Sequence, residues 1–296
     1  MDQRTATTPT SFTLNGTISQ VDVAAGERLS YSLRERLGHR DVKIGCNAGD
    51  CGACSILVDG APVCACLMPT QQAAGRSVET LSGLVKADSD AQALMESFQH
   101  HQAAQCGICT PGMMVSAVAL LRKTPQPDQT QVQDALGGVL CRCTGYRKII
   151  DAVVGAHTAD ELIEAPQDLG QHTRRLDGRP KVDGTEKFGD DVAPVDALVA
   201  RVIRSPHASA SFTLGDISQW QATLPGVAAV LTAQDVPGRN AFGVIPGFID
   251  QPVFAVSHVR FRGEAVACVV GDADAVNAID IVRHRRSAGT ECAAVV

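Results

Sequence analysis

The chain has 296 residues, 45% of them hydrophobic and 20% charged, which suits about two or three folded domains. Its net charge of −6 argues against nucleic acid or an anionic membrane as a partner. The first ten residues lack the apolar core of a signal peptide, and the longest apolar run, Met113 to Leu121, is too short to span a bilayer. We therefore expect a cytoplasmic protein without a membrane span. Eleven cysteines in that setting indicate metal or cluster binding rather than disulfides.

Residues 11–85 are predicted to form two β-hairpins and one helix. Asn15-Gly16 and Asp59-Gly60 are turn dipeptides, and each lies between segments of strand character. Between the hairpins, leucines recur at helical spacing from Glu27 to Leu37, and Gly38 follows as a C-cap. Two hairpins and one helix fit a β-grasp ferredoxin module.

The first cysteine group lies between these hairpins, and its ligand candidates are Cys46, Cys51, Cys54 and Cys66. A C-x4-C-x2-C run with a distant fourth cysteine is typical of a plant-type 2Fe-2S loop. Glycines at positions 45, 49 and 52 let the backbone bend and point N–H groups at the sulfurs. A disulfide or a zinc site is the alternative. Zinc ligands usually come as two short pairs, and this run does not divide that way.

Cys64 leaves the fourth ligand ambiguous. It lies two residues before Cys66, so on a strand both side chains would point to the same face. Only one of the two thiols is needed.

Residues 86–158 contain four amphipathic segments at helical spacing, which predict a four-helix bundle. The segment from Met113 to Leu121 is apolar on nearly all sides, so we expect it to be the most buried helix. Pro111 suits the first turn of this helix. Thr144 is a candidate N-cap of the last helix.

The second cysteine group lies at the entrances of two of these helices and consists of Cys106, Cys109, Cys141 and Cys143. Backbone N–H groups and positive dipole ends at helix entrances stabilise an anionic thiolate cluster, and stabilise its reduced form more. A zinc site is again the alternative, because the C-x2-C pair fits zinc, although the C-x-C pair fits it poorly. Beside a first cluster, an iron–sulfur cluster is favoured.

Three runs of sequence carry a resemblance to a known family: GCNAGDCGAC at 45–54, QCGICTPGMM at 105–114 and CRCTGYRKI at 141–149. Together they closely resemble the iron–sulfur part of the molybdenum hydroxylases, the xanthine dehydrogenase and aldehyde oxidoreductase family. The resemblance covers about residues 12–158. It implies one 2Fe-2S cluster in each module, with the helical one close to the molybdopterin cofactor and passing electrons to the ferredoxin-like one. It also implies that Cys66 rather than Cys64 is a ligand, because the family's ligand directly precedes a leucine. It further implies that Gln105 contacts the pterin; the alternative is a polar residue at the helix entrance that satisfies backbone groups.

Residues 159–172 are polar and acidic and predict a linker, and residues 173–296 then alternate strand-like runs with Gly/Pro turns, as in an α+β domain. RRLDGRPKVDGTEKFGDD at 174–191 and three later runs resemble the opening, hammerhead-like domain of the family's molybdopterin-binding subunit. Phe188 stands where tyrosine is more usual. His207 lies in a turn without a second ligand nearby, so we expect a structural role. Cys268 and Cys292 are expected to be ordinary buried thiols.

The complete prediction is an α+β protein in five parts: a disordered N-terminus (1–10), a β-grasp 2Fe-2S domain (11–85), a helical 2Fe-2S domain (86–158), a linker (159–172) and a truncated molybdopterin-subunit domain (173–296). The linker is too short for a flavin domain, so a flavin would be on another chain or absent. Residues 282–296 lack the acidic strand that the resemblance implies. The hypothesis is a frameshift or truncated reading frame, and a docking tail is the alternative.

The predicted function is electron transfer within a molybdenum hydroxylase that acts on an aldehyde, purine or N-heterocycle. The molybdopterin-type molybdenum cofactor would be present only in the complete enzyme. The expected partners are a molybdopterin-binding polypeptide and a FAD subunit or another electron acceptor. No catalytic residue is assigned, because the resemblance places the hydroxylation site in later parts of the large subunit. The alternatives are a free-standing two-cluster electron carrier or non-functional truncated remnant, and a zinc-stabilised scaffold.

Overall fold

The computed structural model describes residues 7–158 and 173–279, and these fall into two compact units that divide between Val192 and Ala193. No helix within the described ranges is long and apolar enough to cross a membrane. The predicted linker over 159–172, the tail over 282–296 and Cys292 lie outside the described residues.

A mixed five-stranded sheet forms the first module. Its strands are β1 (Thr7–Leu14), β2 (Thr17–Ala24), β3 (Ser55–Val58), β4 (Ala61–Cys64) and β5 (Ser77–Glu79), in the order β2-β1-β5-β3-β4. β1 and β5 are parallel, and every other neighbouring pair is antiparallel. Both predicted hairpins are present, and their turn residues have the positive φ angles of type I′ turns. The predicted disorder of the N-terminus is wrong for residues 7–10, because Thr7 already pairs with Ala24.

One irregular helix packs against this sheet. It begins as α1 (Leu29–Tyr31) and continues as a π-helical turn over Ser32–Arg36. Gly38 follows with a φ of 74°, as the C-cap prediction requires. The shared core is fully buried and includes Phe12, Val23, Leu29, Leu33 and Ile56. The first cysteine loop follows this helix in the chain and leads into β3.

The second module is helical. Its elements are α2 (Leu81–Ala87), α3 (Ser89–His100), α4 (Thr110–Leu121), α5 (Gln129–Leu136) and α6 (Arg147–Val154). Helix α4 packs against α3, α5 and strand β3. Eleven of its residues are buried, which confirms it as the most buried helix of this module, and Pro111 lies in its first turn as predicted.

A capping box starts α5. The Asp128 carboxylate accepts the backbone N–H of Gln131 at 2.9 Å, and the Gln131 side chain accepts the N–H of Asp128 at 2.9 Å. Asp128→Ala is expected to cost about 1 kcal/mol of unfolding free energy, measured by urea unfolding followed by circular dichroism. Asp134→Ala, an exposed change near the end of the same helix, should stay within about 0.5 kcal/mol. Equal losses in the two variants would contradict the cap assignment.

Residues 174–192, here called the strap, pack against the first unit. The strap contains α7 (Gly178–Asp183) and a 3₁₀ turn over Gly189–Val192. The buried Lys43 amine donates to the Glu186 carbonyl at 2.9 Å and lies 4.8 Å from the centre of the Phe188 ring. A phenylalanine face attracts this cation without a hydroxyl, so the departure from tyrosine does not prevent the contact. The first compact unit thus extends to Val192. The start of the molybdopterin-subunit domain at residue 173 remains a prediction.

The second unit contains two small sheets. β6 (Val199–Arg204), β10 (Ala265–Gly271) and β8 (Val227–Leu231) are antiparallel in that order, and β7 (Ala210–Ser211) pairs with β9 (His258–Val259). Helices α8 (Ile217–Ala222) and α9 (Ala273–Ala278) complete it. Cys268 is a buried thiol on β10, as expected. The backbone of His207 exchanges hydrogen bonds with the Ser205 hydroxyl in an exposed turn.

Candidate iron–sulfur centres

The first cysteine loop points backbone N–H groups at its sulfurs. The N–H groups of Ala48 and Cys51 lie 3.3 and 3.4 Å from the Cys46 sulfur, and the N–H of Cys46 lies 3.3 Å from the Cys51 sulfur. The first two contacts lower the pKa of Cys46 to about 6. A backbone that stabilises thiolate in this way suits a site whose ligands are anionic sulfurs.

Glycine is required where this loop closes. A Cβ added at Gly45 would lie 2.8 Å from the Cys51 sulfur. Gly49 has a φ of 89°, and its added Cβ would lie 2.5 Å from a methyl carbon of Leu67. Side chains at these positions would displace the sulfurs or the loop, which explains the glycines that the sequence shows between the cysteines.

Three thiols meet at the buried side of the loop. The Cys54 thiol contacts those of Cys66 and Cys64. Burial raises the pKa of Cys54 to about 12, and Cys54 and Cys66 are 3% and 2% exposed. Cys64 is the last residue of β4 and its thiol lies 3.8 Å from the Gly49 carbonyl oxygen. The expectation that Cys64 and Cys66 share a strand face is wrong, because the strand ends at Cys64 and the chain turns before Cys66.

The second cysteine group is assembled from two loops. The Cys106 thiol contacts Cys143, and the Cys109 thiol contacts Cys141. Cys109 caps the start of α4, and its burial raises the pKa of the thiol. Burial opposes ionisation of Cys141 too, but hydrogen bonds from Thr144, whose hydroxyl lies 3.1 Å from the sulfur, lower its pKa. The four predicted cysteines are therefore brought together as two pairs.

The prediction of Thr144 as an N-cap is wrong. Helix α6 begins after Tyr146, whose φ is 68°, and no side chain caps it. Thr144 instead accepts the Tyr146 N–H at 3.1 Å while its hydroxyl faces the Cys141 sulfur. The Tyr146 hydroxyl accepts the N–H of Cys141 at 2.8 Å. Sequence reasoning missed this tyrosine, although Gly145-Tyr146 directly after the C-x-C pair was the available signal for a turn there.

The two cysteine loops touch through their backbones. The N–H of Leu140 donates to the carbonyl of Cys51 at 2.9 Å. A Cβ added at Gly52 would lie 2.1 Å from the Gly138 carbonyl oxygen, and one added at Gly112 would lie 2.4 Å from the Gly52 carbonyl oxygen. The backbones lie too close for a side chain at Gly52 or Gly112, so these glycines allow the close packing.

The strap covers the other side of the second loop. Arg175 donates to the Ala104 carbonyl at 2.6 Å, and the methylene stem of Lys181 packs on Gly107. Gln105 lies between these contacts and is exposed.

Within the described residues, no group of three or more His, Cys, Asp or Glu side chains is arranged to hold a single metal ion. The predicted ligand thiols instead lie in contacting pairs, two pairs in each module, and in the first module Cys64 adds a further contact to Cys54. A 2Fe-2S cluster has two irons, so its four cysteine ligands divide into two pairs. The residues present therefore fit a two-iron cluster better than a single zinc ion.

Three families match successive parts of the chain. The 2Fe-2S iron-sulfur cluster binding domain matches residues 12–82, the second 2Fe-2S binding domain matches 80–154, and the aldehyde oxidase and xanthine dehydrogenase a/b hammerhead domain matches 183–283. The chain is 45% identical over 143 residues to the nicotine 6-hydroxylase small subunit of Paenarthrobacter nicotinovorans, covering 48% of this chain and 86% of that one.

A longer match is to the aldehyde oxidoreductase of Megalodesulfovibrio gigas, at 32% identity over 292 residues, 89% of this chain and 32% of that protein. The solved aldehyde oxidoreductase structure from Desulfovibrio gigas superimposes with a TM-score of 0.73 at 31% identity, over 90% of this chain and 32% of that one. This chain thus spans about a third of these two longer relatives.

The order of matched domains and the identity to a nearly complete small subunit establish that the chain belongs to the molybdenum hydroxylase family. It carries that family's two 2Fe-2S domains followed by its hammerhead domain, which confirms the predicted α+β fold class and the predicted cluster type.

Proposed function

We propose that this chain relays electrons in a molybdenum hydroxylase, from a molybdopterin site through two 2Fe-2S clusters to a flavin or another acceptor. The first cluster is assigned to Cys46, Cys51, Cys54 and Cys66, and the second to Cys106, Cys109, Cys141 and Cys143. Each cluster, when bound, supplies a one-electron redox couple. The chain's own residues hold the thiolates and fix the separation of the two sites.

The pairing of thiols supports these ligand sets. In the first loop the contacts couple Cys46 with Cys51, and Cys54 with Cys66. In the second group they couple Cys106 with Cys143, and Cys109 with Cys141. Each pair is assigned to one iron. Cys66 is preferred over Cys64 because it is more deeply buried, whereas the Cys64 thiol faces a carbonyl.

The hydrogen bond from Leu140 to Cys51 is the observation that carries the relay proposal. Cys51 is an assigned ligand of the first cluster, and Leu140 directly precedes Cys141, an assigned ligand of the second. The path from the Cys51 sulfur to the Cys141 sulfur therefore consists of covalent bonds and one hydrogen bond of 2.9 Å. Two clusters with unrelated roles would not need their ligand loops joined backbone to backbone.

The exposed Gln105 is proposed to contact the pterin of the molybdenum cofactor. It directly precedes Cys106, so a pterin bound there would lie beside the second cluster and not the first. This supports the order of transfer, in which electrons enter at the helical module and leave at the ferredoxin module.

The complete enzyme is proposed to hydroxylate an aldehyde, a purine or an N-heterocycle, and two relatives carry the names aldehyde oxidoreductase and nicotine 6-hydroxylase. Its molybdopterin-binding polypeptide is the proposed partner, with a separate FAD subunit or another acceptor receiving the electrons. A cytoplasmic location belongs to the same proposal, because a reducing compartment keeps the cysteine ligands from forming disulfides.

Cluster content tests the proposal directly. Anaerobic reconstitution with iron and sulfide should give about four irons and four acid-labile sulfides per chain, with two distinct electron paramagnetic resonance signals on reduction. Cys268→Ser, which alters a buried thiol of the second unit, should change neither count. Protein that binds no iron, or that fills only one group of cysteines, would contradict the relay. Colourless protein that holds zinc would support the scaffold alternative.

A free-standing two-cluster carrier is the second candidate. Two complete sets of four cysteines allow it, and in one relative the iron–sulfur part is a chain of its own, although as the small subunit of a hydroxylase. Molybdenum and pterin analysis after purification from the native host separates the two. A carrier would contain iron and sulfide alone, whereas a hydroxylase complex would contain molybdenum and pterin as well.

A further inference from the structure

The strap places a group of charges against the second cysteine loop. Arg175 donates to both oxygens of the Asp177 carboxylate, each at 2.9 Å, and the Lys181 amine pairs with the same carboxylate. The ionised state of Asp177 is stabilised by these two cations, which lower its pKa to about 2. Two cations and one carboxylate leave a formal excess of one positive charge.

This group is fixed to the loop at two points. Arg175 uses a further N–H to bind the Ala104 carbonyl at 2.6 Å, next to the residue that precedes Cys106. Gly107 has a φ of 91°, and a Cβ added there would lie 2.9 Å from Cγ of Lys181. The lysine stem therefore lies directly on the backbone between Cys106 and Cys109.

Burial makes Lys181 more effective than other cations near this loop. Lys181 is 6% exposed. Arg142, which lies between Cys141 and Cys143, is exposed, so water and salt screen its charge. A charge held out of water acts through a lower effective dielectric and interacts more strongly at the same separation.

We propose that Arg175, Asp177 and Lys181 raise the reduction potential of the second cluster, so that it accepts electrons more readily. The inference rests on the proposed ligand assignment of Cys106, Cys109, Cys141 and Cys143. The reduced cluster is one charge more negative than the oxidised cluster, so a nearby excess of positive charge stabilises the reduced form more. The cluster's potential depends on local charge and solvent exposure, and the strap supplies both the cation and the cover. These are positioning residues and not ligands.

The test changes the charge in both directions on the full-length chain with reconstituted clusters. Lys181→Met keeps most of the apolar stem and removes the charge, and it should lower the potential of the second cluster. Asp177→Asn removes the carboxylate charge and should raise it. The Lys181→Met shift should be about tenfold in the reduction equilibrium, which is 59 mV for one electron. The Asp177→Asn shift should be smaller and of opposite sign, because that carboxylate is exposed and partly screened by water. A redox titration monitored by electron paramagnetic resonance measures both clusters in one sample.

Three controls separate charge from structure. Arg179→Met removes a charge from the same helix, but Arg179 is exposed and pairs with Glu96, so no shift is expected. Lys181→Arg keeps the charge and should retain the wild-type potential. The first cluster serves as the internal control and should not shift in any variant. The signal that survives in Cys66→Ser identifies the second cluster.

The outcomes distinguish this inference from the relay itself. If both signals are present but Lys181→Met and Asp177→Asn leave the potential unchanged, or shift it in the same direction, the charge group does not tune the cluster. If Lys181→Arg shifts as much as Lys181→Met, the effect is structural and the inference is wrong. If the wild-type chain lacks the second signal altogether, the proposed function fails first.

Discussion

Cys66→Ser is expected to abolish the first cluster and about half of the iron bound by the chain, whereas Cys64→Ser is expected to leave both clusters in place. A serine hydroxyl is a poor replacement for an iron-bound thiolate. Cys66 is only 2% exposed, so a thiol from the solvent cannot replace the missing ligand. Both thiols contact Cys54, so the substitution decides an assignment that proximity alone does not. Iron analysis and the count of paramagnetic signals are the measurements.

Three results would each answer the question of the fourth ligand. Loss of the first signal in Cys66→Ser alone supports the assignment. Loss in Cys64→Ser alone reverses it. If Cys66→Ser keeps the signal and only the double variant loses it, Cys64 can replace the missing ligand, and Cys66 is not uniquely required. The signal of the second cluster should persist in all of these variants, because its cysteines lie in a different module.

The parts of the fold that short-range patterns determine could be predicted from the sequence. Asn15-Gly16 and Asp59-Gly60 adopt the positive φ angles that their small or short side chains tolerate, so both hairpins form where the dipeptides indicated. The apolar surface of Met113 to Leu121 similarly required a central, buried helix. In each case the residues that predicted the element are the same residues that form its turn or its buried surface.

Contacts between distant residues could not be predicted in this way. The Cys141 N–H is satisfied by the Tyr146 hydroxyl, and this side-chain contact, rather than a Thr144 cap, sets how α6 begins. The strap is a stronger example, because Arg175 and Lys181 contact a loop about seventy residues earlier in the chain. Nothing in the local sequence of the strap identifies the surface that it covers. The spacing of the cysteines predicted the two groups, but not the backbone contact that joins them.

Gly112→Ala is expected to destabilise the joint between the two modules by about 1–3 kcal/mol and to slow electron transfer between the clusters. The added Cβ would lie 2.4 Å from the Gly52 carbonyl oxygen and 3.3 Å from the Ala53 Cα, so the loop that carries Cys51 and Cys54 must move away from α4. Alanine has a better helix propensity than glycine by about 1 kcal/mol, so propensity alone would make the variant more stable. A measured loss of unfolding free energy therefore comes from the steric contact between the added methyl group and the Gly52 carbonyl.

Gly138→Ala is the matched control for this joint. Gly138 lies in the facing loop, its φ is not in the left-handed region, and its added Cβ meets no atom within 4 Å. The control should keep wild-type stability within about 0.5 kcal/mol and a wild-type transfer rate. Urea unfolding measures the stability, and pulse reduction followed by optical detection of each cluster measures the rate.

Cluster content separates a slower transfer rate from a lost cluster. The atoms nearest the Cβ added at Gly112 belong to the backbone of Gly52 and Ala53 and include no sulfur, so both clusters should still assemble in Gly112→Ala. A slower rate with full iron content would therefore trace the loss to the displaced loop that carries Cys51 and Cys54, and not to a missing cluster. An unchanged rate in a destabilised Gly112→Ala variant would show that electrons do not depend on this backbone junction.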